Sequence, residues 1–265
     1  MTTVVDNAVG ITCLGHATFR FTTPEAKVVL VDPWTYGNPL CPESARDVGA
    51  VDLILITHGH HDHLGDVFTV ARTGAPTIVA VAELGNWLRS RGMPHVRTMN
   101  VGGIVDLAGV RVTMTPAEHS SSIDGDPGAY VGVAAGFVLH FSNGARIYHA
   151  GDTAAFPGMR LIHEVYRPDL ALLPMGDEHT MGPEEAAVAT RLLGVDRVVP
   201  MHYGISPGSR DVPARFRRAL DDLGLDRVEL IEMAPGQSIA WGGPSAGQRA
   251  RQPVEHVVGD PVHRR

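Results

Sequence analysis

The chain has little cysteine. Cys13 and Cys41 are the two in 265 residues, too few for a disulfide framework and not spaced as a Cys-x-x-Cys pair. Both are expected to pack as small apolar residues, and a cytoplasmic location is the default reading. No apolar run approaches the roughly 18 residues that a membrane span needs, and the N-terminus lacks a basic start followed by an apolar signal core. Basic residues are not in excess. The 22 Lys and Arg stand against 29 Asp and Glu, a formal net charge of −7, which argues against a nucleic-acid backbone as the main ligand. With 44% apolar and 19% charged residues, the balance is that of a globular chain long enough to bury a sizeable core.

What the chain does have is histidine, 14 in all. Four of them sit in the stretch Thr57-His58-Gly59-His60-His61-Asp62-His63-Leu64, directly after Val51-Asp52-Leu53-Ile54-Leu55-Ile56, which reads as a strand buried on both faces. Around it, β-rich runs alternate with helical patterns. Residues 18–21 and 27–31 read as paired strands about a Pro24-Glu25 turn, 64–72 as a helix, 77–81 as a strand and 83–91 as a helix. Strands follow at 110–114, 130–141, 145–148, 170–173, 198–199, 228–231 and 239–241. Helices are expected at 161–166, 183–193 (with Pro in its first turn) and 213–220. Mixed sheets covered by helices, a layered α/β architecture, fit this alternation. The expected domain is 1–241. Residues 242–265, rich in Gly, Pro, Arg and Gln, read as a tail, flexible or packed on a partner subunit.

The informative regularity lies where β-rich runs end. Residues 27–31 end in Asp32, 51–56 in the His58 cluster, and 110–114 are followed by Glu118-His119. Residues 145–148 lead to His149-Ala150-Gly151-Asp152, and 198–199 to Met201-His202. In layered α/β folds ligands bind at that edge, where loops converge over a packed sheet. In an extended loop His58, His60 and Asp62 would point to one side, with a turn into the following helix bringing His63 beside Asp62. Two imidazoles two apart suit one borderline metal and an Asp-His pair a second, with His119, Asp152 and His202 as donors to complete them. Gly151 would let the backbone approach closely beside Asp152. A lone His119 or His202 would read as a hydrogen-bonded loop residue, but packing this many polar groups together makes little sense without a cation. His61 reads as a spacer. His95, His140, His163, His256 and His263 read as ordinary residues.

These residues resemble the metal-ligand signature of the metallo-β-lactamase superfamily. Leu14-Gly15-His16-Ala17, Asp32-Pro33, the 57–66 stretch, Gly151-Asp152-Thr153, Thr180-Met181-Gly182-Pro183-Glu184-Glu185-Ala186 and Pro200-Met201-His202-Tyr203 are similar to one branch of it, the bacterial metal-dependent hydrolases related to L-ascorbate-6-phosphate lactonase. The resemblance spans roughly residues 10–241. It implies a four-layer αβ/βα sandwich of two mixed sheets with outer helices and a dinuclear site on one edge. One metal would take His58, His60 and His119, the other Asp62, His63 and His202, with Asp152 between them. Asp32 would hold a ligating imidazole in its tautomer. Zinc is the first choice of metal, with manganese or iron as alternatives. Asp152 stands where true β-lactamases carry Cys, so antibiotic hydrolysis is not expected, and Asp177-Glu178-His179 is more charged than the branch leads one to expect.

The function implied is hydrolysis of a small-molecule lactone or ester, with a water between two cations deprotonated near neutral pH and Asp62 orienting it or moving a proton. His179 and His16 are candidate pocket donors. Phosphodiester cleavage, thioester cleavage, iron-based redox chemistry and a metal-stabilised binding protein are the alternatives. A small-molecule substrate and a homo-oligomer are expected, with neither nucleic acid nor membrane as partner.

Overall fold

A computed structural model describes residues 7–205 and 211–243, so the expected tail lies outside the described residues from 244 on. The chain begins as an antiparallel meander of β1 (Val9–Gly15), β2 (Thr18–Thr22) and β3 (Val28–Val31). It continues in parallel through β4 (Leu53–Leu55), β5 (Thr77–Val81) and β6 (Val96–Met99). The second half repeats the plan. β7 (Ile104–Leu107), β8 (Val110–Pro116), β9 (Ala135–Phe141) and β10 (Arg146–His149) are antiparallel. β11 (Leu170–Pro174), β12 (Arg197–Met201) and β13 (Glu229–Leu230) then add in parallel. Finally β14 (Ser238–Trp241) returns to the first sheet, antiparallel to β1 with Ile11 opposite Ile239. Two seven-stranded mixed sheets result, in the orders β14-β1-β2-β3-β4-β5-β6 and β13-β12-β11-β10-β9-β8-β7.

Helices α1 (His61–Leu64), α2 (Val67–Val70) and α3 (Ala82–Ser90) join the parallel strands of the first sheet. Their counterparts on the second are α4 (Met159–Tyr166), α5 (Pro183–Leu193) and α6 (Val212–Asp222). Strand patterning explains the layers. In β11, Leu170 and Leu172 enter the core shared by the two sheets, while Ala171 and Leu173 face the core under α4, α5 and α6. β9 likewise sends Phe137, Leu139 and Phe141 to the first core and Val138 to the second. α5 carries its own punctuation: Pro183 in the first turn, Glu184 and Glu185 beside the N-terminal dipole, and Gly194 in the left-handed conformation at its end. The sandwich of two mixed sheets with helices is therefore the fold this chain adopts.

Three readings need correction. The helix expected over 64–72 starts earlier, at His61, and is two short helices rather than one. Asp66 interrupts it, because its amide donates to the Pro33 carbonyl at 2.8 Å while its carboxylate accepts the amides of Thr35 and Tyr36. The strand expected over 130–141 forms only from Ala135, since Gly132 at φ +79° breaks the extended path. β1, β6 and β7 were not foreseen. β6 and β7 are edge strands whose half-exposed residues form no apolar run.

β10 leads into Gly151, whose φ of +63° favours glycine and where a Cβ would lie 2.6 Å from the Ala135 carbonyl oxygen. Gly151→Ala should therefore destabilise the metal-free protein by about 1–3 kcal/mol in urea denaturation. A change near zero would show that the β10 exit is not held as described.

Candidate metal centre

Five strand ends build one site. β4 runs into Thr57 and His58, and His60, extended at φ −64° and ψ 152°, caps the single turn of α1. Because α1 begins at His61, Asp62 turns away from His58 and His60. The alternation expected to put all three on one side does not hold. Instead two groups form. His58 Nε2 lies 2.9 Å from His60 Nδ1, and His119 Nε2, delivered after β8, lies 3.4 Å from the same atom. On the other side, Asp62 Oδ2 lies 3.6 Å from His63 Nε2 and 3.5 Å from His202 Nε2, the latter delivered by β12. Asp152, after β10, stands between them. Its Oδ2 is 3.0 Å from His202 Nε2, 3.2 Å from His63 Nε2, 3.6 Å from His119 Nε2 and 3.9 Å from His58 Nε2.

Asp32 underpins both groups. Fully buried, it accepts the Thr57 amide at 2.8 Å, the Thr57 hydroxyl at 2.7 Å and His63 Nδ1–H at 2.8 Å. Thr57 Oγ1 in turn lies 3.0 Å from His58 Nδ1. One carboxylate thus orients His63 directly and His58 through a hydroxyl, leaving both Nε2 atoms aimed at Asp152. Left-handed backbone at His16, Asp32 and His202, with φ of 58°, 50° and 57°, concentrates around the same centre. His16 donates Nε2–H to Asp62 Oδ2 at 2.9 Å, and its ring centroid is 3.8 Å from that of His202.

Three supporting residues escaped the sequence reading. Thr57 is the hydroxyl just described, and its signal was a Thr immediately before the first His of the cluster. His149 is fully buried, donates Nε2–H to the Ala17 carbonyl at 3.0 Å and accepts the Gly151 amide on Nδ1 at 3.2 Å. It therefore ties the turn that presents Asp152 to the β1–β2 turn of the other sheet. Trp34 packs edge-on to His16, with centroids 5.3 Å apart, and nothing in its sequence neighbourhood marked it. His61 is exposed, as are His95 and His140, while His163 packs beside Gly194.

Electrostatics among these groups are divided. Burial pushes His58 well below its usual pKa, with His63 nearby adding to the effect, and burial likewise lowers His119 and takes His16 to about 4. Burial acts in the same sense on His63 and His202, but is overcome by Asp152, so His63 is raised and His202 reaches about 9. Burial would raise Asp62 and Asp152. The imidazoles around them win, and both are held below the usual carboxylate range. The donor set suits divalent cations. His63 Nε2 and His202 Nε2 face Asp152 Oδ2 without hydrogen-bond geometry, Asp152 Oδ1 is buried with no partner, and each group's ligand atoms lie within 4.8 Å of one another.

A cavity of about 300 Å³ opens beside this centre, lined by His16, Trp34, Asp62, Gly176, His179, His202, Tyr203 and Ile205. His179 thus reaches the pocket from the loop after β11, with its side chain exposed and outside both ligand groups. A larger depression of about 480 Å³ beside the β7–β8 turn is open to solvent and brings together none of these groups.

Because His63 and His202 carry protons that a cation must displace, metal uptake at pH 7 should release protons and weaken as pH falls. Calorimetry in two buffers of different ionisation enthalpy measures this, and zero proton release would contradict it. Thr57→Val removes the hydroxyl between Asp32 and His58 and should weaken metal binding about 10–100-fold in chelator competition. Unchanged affinity would leave Thr57 no orienting role.

Residues 27–203 match the family model described as a beta-lactamase superfamily domain. A UPF0173 metal-dependent hydrolase of Rubrobacter xylanophilus is 49% identical over 231 residues, 86% of this chain and 95% of that protein. A second, from Koribacter versatilis, is 44% identical over 229 residues, 86% and 96% of the two chains. Among solved structures, Igni18, a metallo hydrolase of Ignicoccus hospitalis, superposes with a TM-score of 0.77 at 34% identity over 88% of this chain and 98% of its own. The chain belongs to the metallo-β-lactamase superfamily and, within it, to the UPF0173 family of metal-dependent hydrolases.

Proposed function

We propose that this hydrolase cleaves a lactone or simple ester of a small molecule at a dinuclear centre, with zinc the first choice of metal and manganese or iron as alternatives. The observation that carries the reading is the placement of Asp152, whose Oδ2 lies 3.0–3.9 Å from imidazole nitrogens of both groups. One cation would be held by His58, His60 and His119, the other by Asp62, His63 and His202, with Asp152 shared. Cations held there would acidify a water and polarise the carbonyl oxygen of the substrate.

The residues of the chain do the rest. Asp62, whose side chain is 31% exposed at the pocket wall, orients the attacking water and is itself fixed by His16. The water oxygen bonds to the acyl carbon, the bond from that carbon to the leaving oxygen breaks, and the leaving oxygen takes a proton. His179, which lines the same cavity from its exposed loop, would supply that proton. The buried Asp32–Thr57 pair holds imidazole orientation through the cycle.

His60→Ala and Asp152→Ala should each lower kcat/KM for γ-lactones and p-nitrophenyl esters by at least ~1,000-fold, because each removes a group that holds a cation. His179→Ala should lower kcat by about 10–100-fold, less for a p-nitrophenolate leaving group that needs no proton. Near-wild-type turnover in Asp152→Ala, or faster cleavage of bis(p-nitrophenyl) phosphate than of any lactone or ester, would refute the reading.

A further inference from the structure

Five residues of the cavity lie beyond the ligand groups and beyond His16: Trp34, Gly176, His179, Tyr203 and Ile205. Among the described residues, none that lines it is Lys or Arg. Ile205 leaves 43% of its surface open, a large aliphatic side chain with no core to enter. Tyr203 is half-buried and lines the cavity, so its ring offers apolar area beside Ile205.

The surroundings are acidic. His179 follows Asp177 and Glu178, both exposed. Arg215 of α6 is held against this loop but is fully engaged. It donates to the two Asp177 oxygens at 2.8 and 3.0 Å and to the two Glu184 oxygens at 2.9 and 2.6 Å. Two carboxylates share that guanidinium, Arg218 also acts on Glu184, and Glu178 is exposed beside them, so among the described residues three carboxylates stand against two guanidinium groups. A phosphate or carboxylate on the substrate's far end would shed water here and meet no Lys or Arg among the described residues of the wall.

We infer that the substrate is an uncharged ester or lactone whose arm beyond the scissile bond is apolar, seated against Ile205, Tyr203 and Trp34, and that anionic arms, phosphorylated lactones included, are rejected. The inference rests on the hydrolase reading above and narrows it. Complementarity here is of two kinds, apolar area that gains from burial and a rim charge that repels the wrong ligand.

The test uses the zinc-loaded full chain and a matched pair, p-nitrophenyl butyrate and mono-p-nitrophenyl succinate. The butyrate should show kcat/KM about 10–100-fold above the succinate. Lengthening the acyl chain from acetate to butyrate should raise kcat/KM about 4-fold per methylene. Ile205→Lys should lower kcat/KM for the butyrate and raise it for the succinate by about 10-fold, narrowing or reversing the preference. Equal or better use of the succinate by the unmodified chain overturns the inference, as does a flat response to chain length.

Calorimetry with the uncleaved anilides, N-phenylbutyramide and N-phenylsuccinamate, separates the two claims. If neither ester turns over but the neutral anilide binds about 10-fold more tightly, the hydrolase reading falls and the assignment of an uncharged apolar ligand stands. If the anionic anilide binds as well or better, or neither binds, the assignment falls.

Discussion

Crowding of unsatisfied donors is the constraint on which the rest of this structure depends. His58, His63 and Asp152 are almost wholly buried, and the ring nitrogens of four histidines lie within 3.9 Å of one carboxylate oxygen. In an apolar interior such a cluster costs several kcal/mol per unpaired group. Without cations the carboxylates draw protons onto His63 and His202. With cations the same atoms become ligands, and metal binding becomes folding free energy. Family membership and geometry agree on that point, since the relatives are metal-dependent hydrolases and this chain carries the donor groups such an enzyme needs.

The fold exists, in large part, to hold that cluster open on one side. β3, β4, β8, β10 and β12 come from both sheets, and the ends of all five meet at one edge. Three ties lock the two sheets together there: His149 to the Ala17 carbonyl, the His202 amide to the His16 carbonyl, and the Ala135 amide to the Thr57 carbonyl. Each is a hydrogen bond between chain segments remote in sequence, and each lies next to a residue of the centre. The left-handed backbone at His16 and His202 is held by one of these ties, and that at Asp32 by its bonds to Leu55, Thr57 and His63.

Much of this was legible in the sequence. The runs ending in Asp32, His58, His119, Asp152 and His202 announced the edge, and the Pro183-Glu184-Glu185 start of α5 fixed that helix to the residue. The grouping of the cluster was harder to read. The ligand sets already put Asp62 with His63 and His202, but period-two alternation pointed its side chain to the side of His58 and His60, and the early start of α1 turns it away. The break after α1 depends on tertiary bonds made by Asp66, which no local pattern reports. Edge strands β6 and β7 and the supports Thr57 and His149 were missed for a related reason. The edge strands carry no apolar run, and the two supports take their roles from partners 25 and 132 positions away, which sequence periodicity does not report.

Chemistry and selectivity occupy separate parts of the site. The imidazoles and Asp152 set what can be done to a bond, while Ile205, Tyr203 and Trp34, under an acidic rim, set which molecule is brought to it. The central claim concerns the first part, that the two donor groups hold a pair of cations sharing Asp152. Anomalous diffraction from crystals of the zinc-loaded protein tests it directly. The account predicts two peaks per chain, one among His58, His60 and His119 and one among Asp62, His63 and His202, with Asp152 touching both. A single peak, or full occupancy elsewhere with these imidazoles still hydrogen-bonded to each other, would contradict it.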